Sequence, residues 1–405
     1  MPWSSSTSKT RNTSEWYVVR RLKLGRSEQL DSLARAAGDL YSRTLVSFWR
    51  VVRKKELWLK PSSLMRWQNS GALHAHSADA VVQSFYGSLQ SWSRRRKTDP
   101  LARPPKRRRR YYKVQWKASG IRLRGGQLIL SNGRGNAPLR IPWRWGLPRL
   151  VEIGWDGEQY ELRATYAETT RVTPQGDRVA GIDLGEIHLA VAHDGERCTI
   201  ANGRLLRSKR RYQNKLKAYL SHLIDRKKRG SRRRQRLIRS KRRQLARLNN
   251  QIRDIQHKET TTLISTLHAS GVQKVVIGDV RDIRQGLDYG RKANQKLHQM
   301  LHGATRHMMS YKAHRLGMET DLQDEAYTSQ TCPACGRRHK PSGRDYSCTC
   351  GFRYHRDGVG AWNIRQKYLG SGPVVGAMAS PTGVRYHPHM RCSSAHPGRE
   401  RIPRL

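Results

Sequence analysis

The N-terminal part of the chain changes from a strand-like to a helix-like pattern of apolar residues. Residues 16–24 are rich in aromatic and β-branched side chains and predict one β-strand. From Leu30 to Phe48 apolar positions recur at three- and four-residue steps, which predicts an amphipathic helix. Further helix is expected from about Ser77 to Trp92. The pattern therefore predicts one strand followed by a helical insert.

Short strands follow the helical insert. The basic runs 94–97 and 104–110 are expected to form loops or a nucleic-acid contact, because prolines break helices and the charge forbids burial. The predicted strands are Gln127–Leu130, Leu139–Pro142, Leu150–Trp155 and Gln159–Tyr166. The last two flank Asp156-Gly157, a dipeptide typical of tight turns, and so predict a hairpin.

Buried strands return in the C-terminal half, and the first of them carries an acid. Residues 179–185 form an apolar run interrupted by Asp183. Leu189–Ala192 and Cys198–Ile200 predict two more strands joined by tight turns. Three such strands, with an aspartate on the first, are typical of the start of an RNase H-like fold.

A very basic segment, 204–260, has two stripes of apolar residues at helical spacing. It predicts two antiparallel helices with a turn near Arg229-Gly-Ser231. A solvated coiled coil is one interpretation, and a helical pair that contacts phosphates is favoured by the density of arginine.

The remainder of the C-terminal half is predicted to alternate between strands and helices. The predicted elements are a strand at Lys274–Val280, a helix at Leu297–Leu316, a strand at Met318–Glu325 and a helix at Asp357–Tyr368. Gly317 is a plausible helix C-cap. Residues 1–15 and the tail 370–405 are expected to be disordered.

The net charge of the chain says most about its binding partner. Among 405 residues, 80 are Lys or Arg and 30 are Asp or Glu, which gives a formal net charge of +50. Nucleic acid is the expected partner, since neutralised phosphates release counterions and give salt-sensitive affinity. No apolar run long enough to span a membrane and no leader or lipidation motif is seen, so no membrane partner is expected.

Four of the six cysteines lie close together as Cys332, Cys335, Cys348 and Cys350. Two such pairs predict a closed, tetrahedral, structural Zn²⁺ site. The second pair is one residue shorter than usual, so His339 or His355 remains an alternative ligand. This clustering also indicates a reducing compartment, hence a cytoplasmic, nucleoid-associated protein if the chain is prokaryotic.

Aspartates on apolar strands of a basic protein suggest metal-dependent chemistry. Phosphodiester hydrolysis by two Mg²⁺ ions needs carboxylates that orient them. Asp183 and Asp357 are candidates, although Asp183 can also be a turn former and Asp357 a helix N-cap. For the third acid the residues leave two choices, Asp279 at the end of a buried strand and Glu325 just before the cysteines.

At this point the chain resembles the TnpB family of transposon-encoded proteins, relatives of type V CRISPR nucleases. The resemblance is carried by Gly181-Ile-Asp-Leu-Gly185, by Val276-Ile-Gly-Asp-Val280, by the run from Glu325 to Cys332, and by Arg356-Asp357 with Ala361 and Asn363-Ile364. It covers residues 178–368 specifically and is looser upstream.

The resemblance implies an RNA-guided DNA endonuclease with one RuvC-like site that cuts double-stranded DNA beside a short flanking motif, guided by a transposon-derived RNA. It matches Asp183 and Asp357 to the first and third catalytic acids. In the family it resembles, most members have glutamate where this chain has Gly278. Other members carry the glutamate just before the Tyr-Thr-Ser run, which is the place of Glu325. Glu325 is therefore the expected second acid and Asp279 the runner-up. The alternative is a nuclease-inactive, RNA-guided DNA-binding regulator.

Together these inferences predict an α/β plus β chain. The expected plan is a β-barrel wedge-type module (16–26 and 110–172), a helical recognition insert (27–109), a RuvC-like nuclease domain (177–325 and 352–369) and an inserted zinc ribbon (326–351). A boundary is expected near Pro174-Gln-Gly176. The oligomeric state, the guide sequence and the flanking motif are left open.

Overall fold

The strands of the computed structural model pair into four sheets, shared between two units of the chain. The residues that the structure describes are 14–108, 111–170, 176–280, 290, 294–295, 301–341, 343–370 and 384–386. The first unit comprises Glu15–Thr169, and the second runs from Thr170 onward. No helix among these described residues is both long and apolar enough to cross a membrane.

The first unit contains seven strands and three α-helices, and the α-helices stand between its first and second strands in the sequence. Its elements are β1 (Ser14–Leu24), α1 (Glu28–Lys55), α2 (Pro61–Trp67), α3 (Ala75–Arg96), β2 (Val114–Lys117), β3 (Ile121–Arg124), β4 (Gln127–Leu130), β5 (Leu139–Pro142), β6 (Leu150–Trp155) and β7 (Tyr160–Thr170). They form a four-stranded sheet in the order β1-β7-β6-β2 and a three-stranded sheet β3-β4-β5. The predicted strands and hairpin are confirmed, whereas closure into a barrel stays a prediction.

The helical insert follows the predicted pattern. Ser27 caps α1 by accepting a hydrogen bond from the Leu30 amide at 3.2 Å, and the stripe from Leu30 to Phe48 is buried. One prediction is wrong: Arg94–Arg96 form the last turn of α3 instead of a loop. Their side chains are exposed, so the charge does not prevent helix formation, and cations at a helix C-terminus complement its dipole.

The second unit is organised around a six-stranded sheet in the order β12-β11-β8-β9-β10-β15. Its elements are β8 (Arg178–Asp183), β9 (His188–His193), β10 (Cys198–Asn202), α4 (Arg204–Asp225), α5 (Arg232–Ala269), β11 (Val272–Asp279), α6 (His302–Arg315), β12 (Glu319–Asp324), β13 (Asp345–Ser347), β14 (Arg353–His355), α7 (Arg356–Leu369) and β15 (Val384–Tyr386). Strands β8, β11 and β12 are parallel, and β9 is antiparallel to β8.

This strand order brings acids together. Because β8, β11 and β12 are parallel, their carboxyl ends lie at one edge of the sheet. Asp183 ends β8, Asp279 ends β11, and Glu325 directly follows β12. The sheet therefore gathers at one edge three acids that are far apart in sequence.

Several boundaries differ from the prediction. Helix α5 continues to Ala269, because its last turns bury Leu263, Ile264 and Leu267 against the sheet. Helix α6 begins at His302, and residues 297–300 of the predicted helix lie outside the described residues. Most of the expected boundary at 174–176 also lies outside them.

The tail prediction is wrong at one place. Residues 370–405 were expected to be disordered, yet β15 pairs in parallel with β10 from Cys198 to Ile200. The physical reason is that β10 would otherwise be an edge strand, whose unpaired backbone groups accept an added strand. The remainder of the tail beyond Gly370 lies outside the described residues.

Candidate functional site

Asp183 lies where helix α7 crosses strand β8 at very short range. A methyl group built on Gly181 would lie 2.2 Å from the Ala361 carbonyl oxygen, so only glycine lets the two backbones approach this closely. A methyl group built on Gly360 would lie 2.7 Å from Asp183 Oδ2. The Asp183 carboxyl group therefore packs directly against the α7 backbone, one turn from Asp357.

Asp357 is held by positively polarised groups in the first turn of α7. Its Oδ2 accepts a hydrogen bond from His188 Nδ1 at 2.8 Å and lies 3.3 Å from Arg344 Nη1. Burial opposes ionisation, but the hydrogen bond from His188 and the electrostatic influence of His355, His188 and Arg344 bring the pKa of Asp357 below its ordinary value. Asp357 is thus prepared as a carboxylate.

Glu325 turns back over the end of β11. A methyl group built on Gly278 would lie 2.7 Å from Glu325 Oε2 and 3.5 Å from Glu325 Cβ. The glutamate side chain therefore fills the space that a side chain at position 278 would take. Burial and the negative charges of Asp279 and Asp324 raise the pKa of Glu325 to about 7.

Asp183 is affected by both other acids. Burial and the negative charges of Glu325 and Asp357 raise its pKa to about 8. Such repulsion between carboxyl groups in a buried region is relieved when a cation binds. Carboxylate oxygens are also the donors that Mg²⁺ prefers, so the residues present fit this ion.

The three acids do not form a single tight ligand shell. In the described part of the chain, only two groups of three or more His, Cys, Asp or Glu residues place their ligand atoms within 4.8 Å of one another. These are the four cysteines, and His188 with His355 and Asp357. A wider spread of the acids suits a pair of ions about 4 Å apart, whose ligands lie on opposite sides.

Asp279, the runner-up for the second acid, has a different environment. Its Oδ1 lies 3.4 Å from Arg306 Nη1, with 19% of its side chain exposed. It is in register with Asp324 of the neighbouring strand. Asp279 therefore acts on Glu325 as a negative neighbour and is itself engaged by an arginine.

The four cysteines meet in space. Cys332 Sγ lies 3.7 Å from Cys350 Sγ, and Cys335 Sγ lies 3.5 Å from Cys348 Sγ. Tetrahedral zinc with Zn–S bonds of about 2.3 Å needs S–S separations of about 3.8 Å, so the donor set fits Zn²⁺. The backbone amide of Cys350 helps lower the pKa of the Cys348 thiol to about 6, which favours the thiolate that binds metal.

Neither histidine named as an alternative zinc ligand joins the cysteines. His339 Nδ1 lies 3.3 Å from the Tyr346 hydroxyl, and His355 groups with His188 and Asp357. The short Cys348-x-Cys350 spacing is accommodated by a tight turn in which Cys348 donates its amide hydrogen to the Phe352 carbonyl at 2.8 Å. All four sulfur atoms can therefore share one ion.

The sequence pattern did not reveal the residues that support these sites. His188 lies at the start of a buried strand and is 4% exposed, and a polar residue beside an apolar run close to Asp183 was the available signal. Asn363 of α7 donates to the carbonyls of Thr328 and Thr331 at 2.7 and 2.8 Å, which ties the segment after Glu325 to that helix. Arg344 had no sequence signal.

Two family models match the chain in this unit and just before it. Residues 161–284 match the family described as a probable transposase, and residues 302–364 match the family described as the Cas12f1-like TNB domain. The TnpB-like protein of Methanocaldococcus jannaschii is 28% identical over 133 residues, which are 32% of this chain and 46% of that protein. The chain thus matches about half the length of this curated relative.

Solved structures show the fold. A Cas12f1 protein in complex with sgRNA and target DNA matches with a TM-score of 0.56 and 12% identity, over 83% of this chain and 81% of that one. The mini RNA-guided endonuclease CRISPR-Cas phi3 has a TM-score of 0.44 and 11% identity, over 89% and 94% of the two chains. The first of these matches shows that the chain shares the fold of the Cas12f1 protein. In sequence, the chain is similar to the probable-transposase and Cas12f1-like TNB families and to a TnpB-like protein over the segments given above.

Proposed function

We propose that this protein is an RNA-guided DNA endonuclease that cuts double-stranded DNA at a RuvC-like site formed by Asp183, Glu325 and Asp357. The observation that carries the proposal is the position of Glu325, whose carboxyl group fills the space above Gly278 at the edge where Asp183 ends β8. The resemblance implies a glutamate at the position of Gly278, and we propose that Glu325, whose carboxyl group lies over that position, takes its part.

Each acid has a distinct part in the proposed reaction. Two Mg²⁺ ions bound here would supply a nucleophilic hydroxide and neutralise charge on the departing oxygen. Asp183, which both other acids influence electrostatically, would hold the ions together with them. Asp357 is oriented by the hydrogen bond from His188, and Glu325 would supply the third carboxylate. The histidine thus keeps one ligand ionised and fixed in direction.

The four cysteines are proposed to bind one structural Zn²⁺. Four thiolates leave no open position for substrate, so the ion has no direct part in cleavage. Cys332 is 0% exposed and packs with Tyr346 and Phe352 beneath β13 and β14. The ribbon, 326–351, is therefore proposed to brace the segments that carry Glu325 and Asp357.

The helical pair α4–α5 is proposed to contact the phosphates of the guide RNA. The two helices are joined by polar contacts, Lys209 Nζ to Gln251 Oε1 at 3.1 Å and Gln213 Nε2 to Asn249 Oδ1 at 2.7 Å. This pairing leaves arginines of α5 at the surface. The exposed ones are Arg232, Arg233, Arg236, Arg239, Arg242, Arg243, Arg247 and Arg253.

The remaining parts of the proposal rest on the resemblance and on charge. The structurally similar Cas12f1 was solved with sgRNA and target DNA, and the chain's net charge of +50 suits two polyanions. We propose that the guide derives from the transposon and pairs with one target strand. The first unit, with its wedge-type strands and helical insert, would read a short flanking motif on duplex DNA. A cytoplasmic, nucleoid-associated location follows from these partners.

An exchange of the second acid tests the proposal. The protein is purified with its own RNA and incubated with Mg²⁺ and a target flanked by randomised sequence. Glu325→Gln should abolish cutting, and the double change Gly278→Glu with Glu325→Ala should restore at least part of it, because the new side chain enters the vacated space. Asp324→Asn, at the exposed position next to Glu325, is the matched control and should cut normally.

The possible outcomes distinguish the nuclease from the nuclease-inactive regulator. Copurified RNA and target binding in every variant, with no cutting even by the wild type, would favour the nuclease-inactive regulator. Cutting by Glu325→Gln at the wild-type rate would remove Glu325 from the site. Rescue by the double change is expected only if position 278 and Glu325 serve the same place in space.

A further inference from the structure

A cavity of about 550 Å³ opens in the second unit beside the end of β8. Its walls are the loop at Gly185 and Glu186, the first turns of α4, and the start of α6. Asp183 is two residues before this loop. The cavity is within the range of about 300–1,000 Å³ that is usual for ligand sites. It therefore has room for one nucleotide next to the proposed nuclease site.

The cavity has an apolar floor. Leu189 and Leu206 are 8% and 5% exposed and form a small cluster with Ile252, against which Leu301 packs. This cluster is separate from the apolar core beneath the main sheet. Both leucines and Leu301 line the cavity, so a flat aromatic ring is a suitable occupant.

The rim of the cavity is cationic. Arg207, Arg210, Arg211 and Lys215 all line it from α4, where their spacing places them on one side of the helix. Glu186 is the acid among the lining residues, and its Oε1 pairs with Arg207 Nε at 2.9 Å. An apolar floor beneath an excess of positive charge matches a nucleotide, which has an aromatic base and an anionic phosphate.

Arg210 differs from Arg207. Its Nη1 donates to Gln213 Oε1 at 2.9 Å, whereas its Nε is buried and has no hydrogen-bond partner among the described residues. Burial lowers the pKa of Arg210, and no carboxylate in the described part of the chain pairs with it. A partly desolvated guanidinium without a carboxylate partner is unfavourable, and a phosphate that approaches its terminal nitrogen atoms would offset this cost.

We infer that this cavity binds one nucleotide of single-stranded DNA, with its base on the leucine floor and its phosphate on Arg210. Because this wall begins two residues after Asp183, the strand held here is inferred to be the one that enters the acid site. This inference rests on the proposed function and adds a binding site to it. The site would fix the position of the scissile strand, so its loss should slow cutting and weaken strand binding together.

The test uses the full protein–RNA complex without Mg²⁺, so that DNA is bound and not cut. Single-stranded oligonucleotides carry 2-aminopurine at one position each, and affinity and fluorescence are measured. Arg210→Gln should weaken binding on the order of tenfold, as expected for a charge-assisted phosphate contact. In the wild type, the 2-aminopurine fluorescence should change at the one strand position whose base enters the cavity. Ala218→Trp, at an exposed residue that lines the cavity, fills the cavity and should abolish this change.

Lys217→Ala is the matched control, since Lys217 is exposed on the same helix and does not line the cavity. It should reduce affinity less than threefold. Equal losses for Lys217→Ala and Arg210→Gln, or an unchanged fluorescence pattern in Ala218→Trp, would overturn the inference. A loss of RNA affinity instead of DNA affinity in Arg210→Gln would also overturn it and assign the cavity to the guide. Since binding is measured without cleavage, an inactive wild type would contradict the proposed nuclease alone.

Discussion

The cysteine cluster and the acid site, both in the second unit, show two ways of building a metal site. The sulfur atoms of the cysteines lie 3.5 and 3.7 Å apart in pairs, and the ligands come from one short stretch, Cys332–Cys350. The acids come from the ends of β8 and β12 and from the start of α7, and burial together with charge repulsion raises the pKa values of Asp183 and Glu325. The first site is assembled by local turns and the second by the sheet.

This difference indicates where each site is vulnerable. Losing one cysteine removes one of the four ligands of the proposed zinc ion, which stabilises the loops that carry the cysteines. Losing one acid relieves repulsion, so the fold tolerates it while the chemistry does not. The comparison therefore predicts that acid variants lose activity and keep their structure, and that cysteine variants lose structure.

The largest expected effect is on cleavage by Asp183→Asn. It removes a carboxylate that we propose binds metal, and cutting should fall on the order of a thousandfold or more, equivalent to about 4 kcal/mol. Thermal stability should be equal to the wild type or slightly higher, because a buried repelled acid is gone. The measurement is single-turnover cleavage together with a melting curve. A clear drop in melting temperature would contradict the claimed difference between the two sites.

The next effect is on stability in Cys332→Ser. One thiolate of a closed shell is lost, so the free energy of unfolding should fall by several kcal/mol, and zinc per chain should fall toward zero. Metal analysis and denaturant unfolding measure this. Cys198→Ala is the control, because Cys198 is buried outside the cluster and its change should leave zinc bound. Full zinc content in Cys332→Ser would show that the sulfur is not a ligand.

A smaller effect is expected on the pH dependence of folding stability, measured on zinc-loaded protein without added Mg²⁺. The pKa values of Asp183, about 8, and Glu325, about 7, lie above their unfolded values near 4. Their contribution to stability is therefore fully present below pH 4 and is lost as pH rises through about 8. Added Mg²⁺ needs the ionised acids, so it should raise the melting temperature more at pH 8.5 than at pH 6, by roughly a few degrees. Asp183→Asn should reduce this difference; an equal response of both proteins would contradict the assignment.

The smallest effect is expected for Asp279→Asn. This change removes a negative neighbour that raises the pKa of Glu325, and it gives up a contact with Arg306 at 3.4 Å. Cleavage should change less than threefold, with its pH dependence displaced slightly to lower pH. Abolished cleavage with an unchanged fold would instead assign the second acid to Asp279.

The sequence predicted most elements because their apolar patterns are strong and local. The α1 stripe, the β6–β7 hairpin and the strand that ends at Asp183 each follow from residues in one contiguous stretch of the chain. The position of Glu325 above Gly278 could be suspected only from a resemblance, since it depends on the pairing of β11 with β12. The support of Asp357 by His188 joins residues 169 positions apart, and no local pattern encodes such a contact.

Glu325 lies seven residues before Cys332, and Asp357 lies seven residues after Cys350. Two acids of the proposed catalytic trio are thus attached to opposite ends of one sulfur-bound loop, and Asn363 fastens that loop to α7. If the loop lost its ion, both acids would be released at once, although neither touches it. In a cell short of zinc the proposed acid site would then not be assembled, so the supply of one metal would control the use of another.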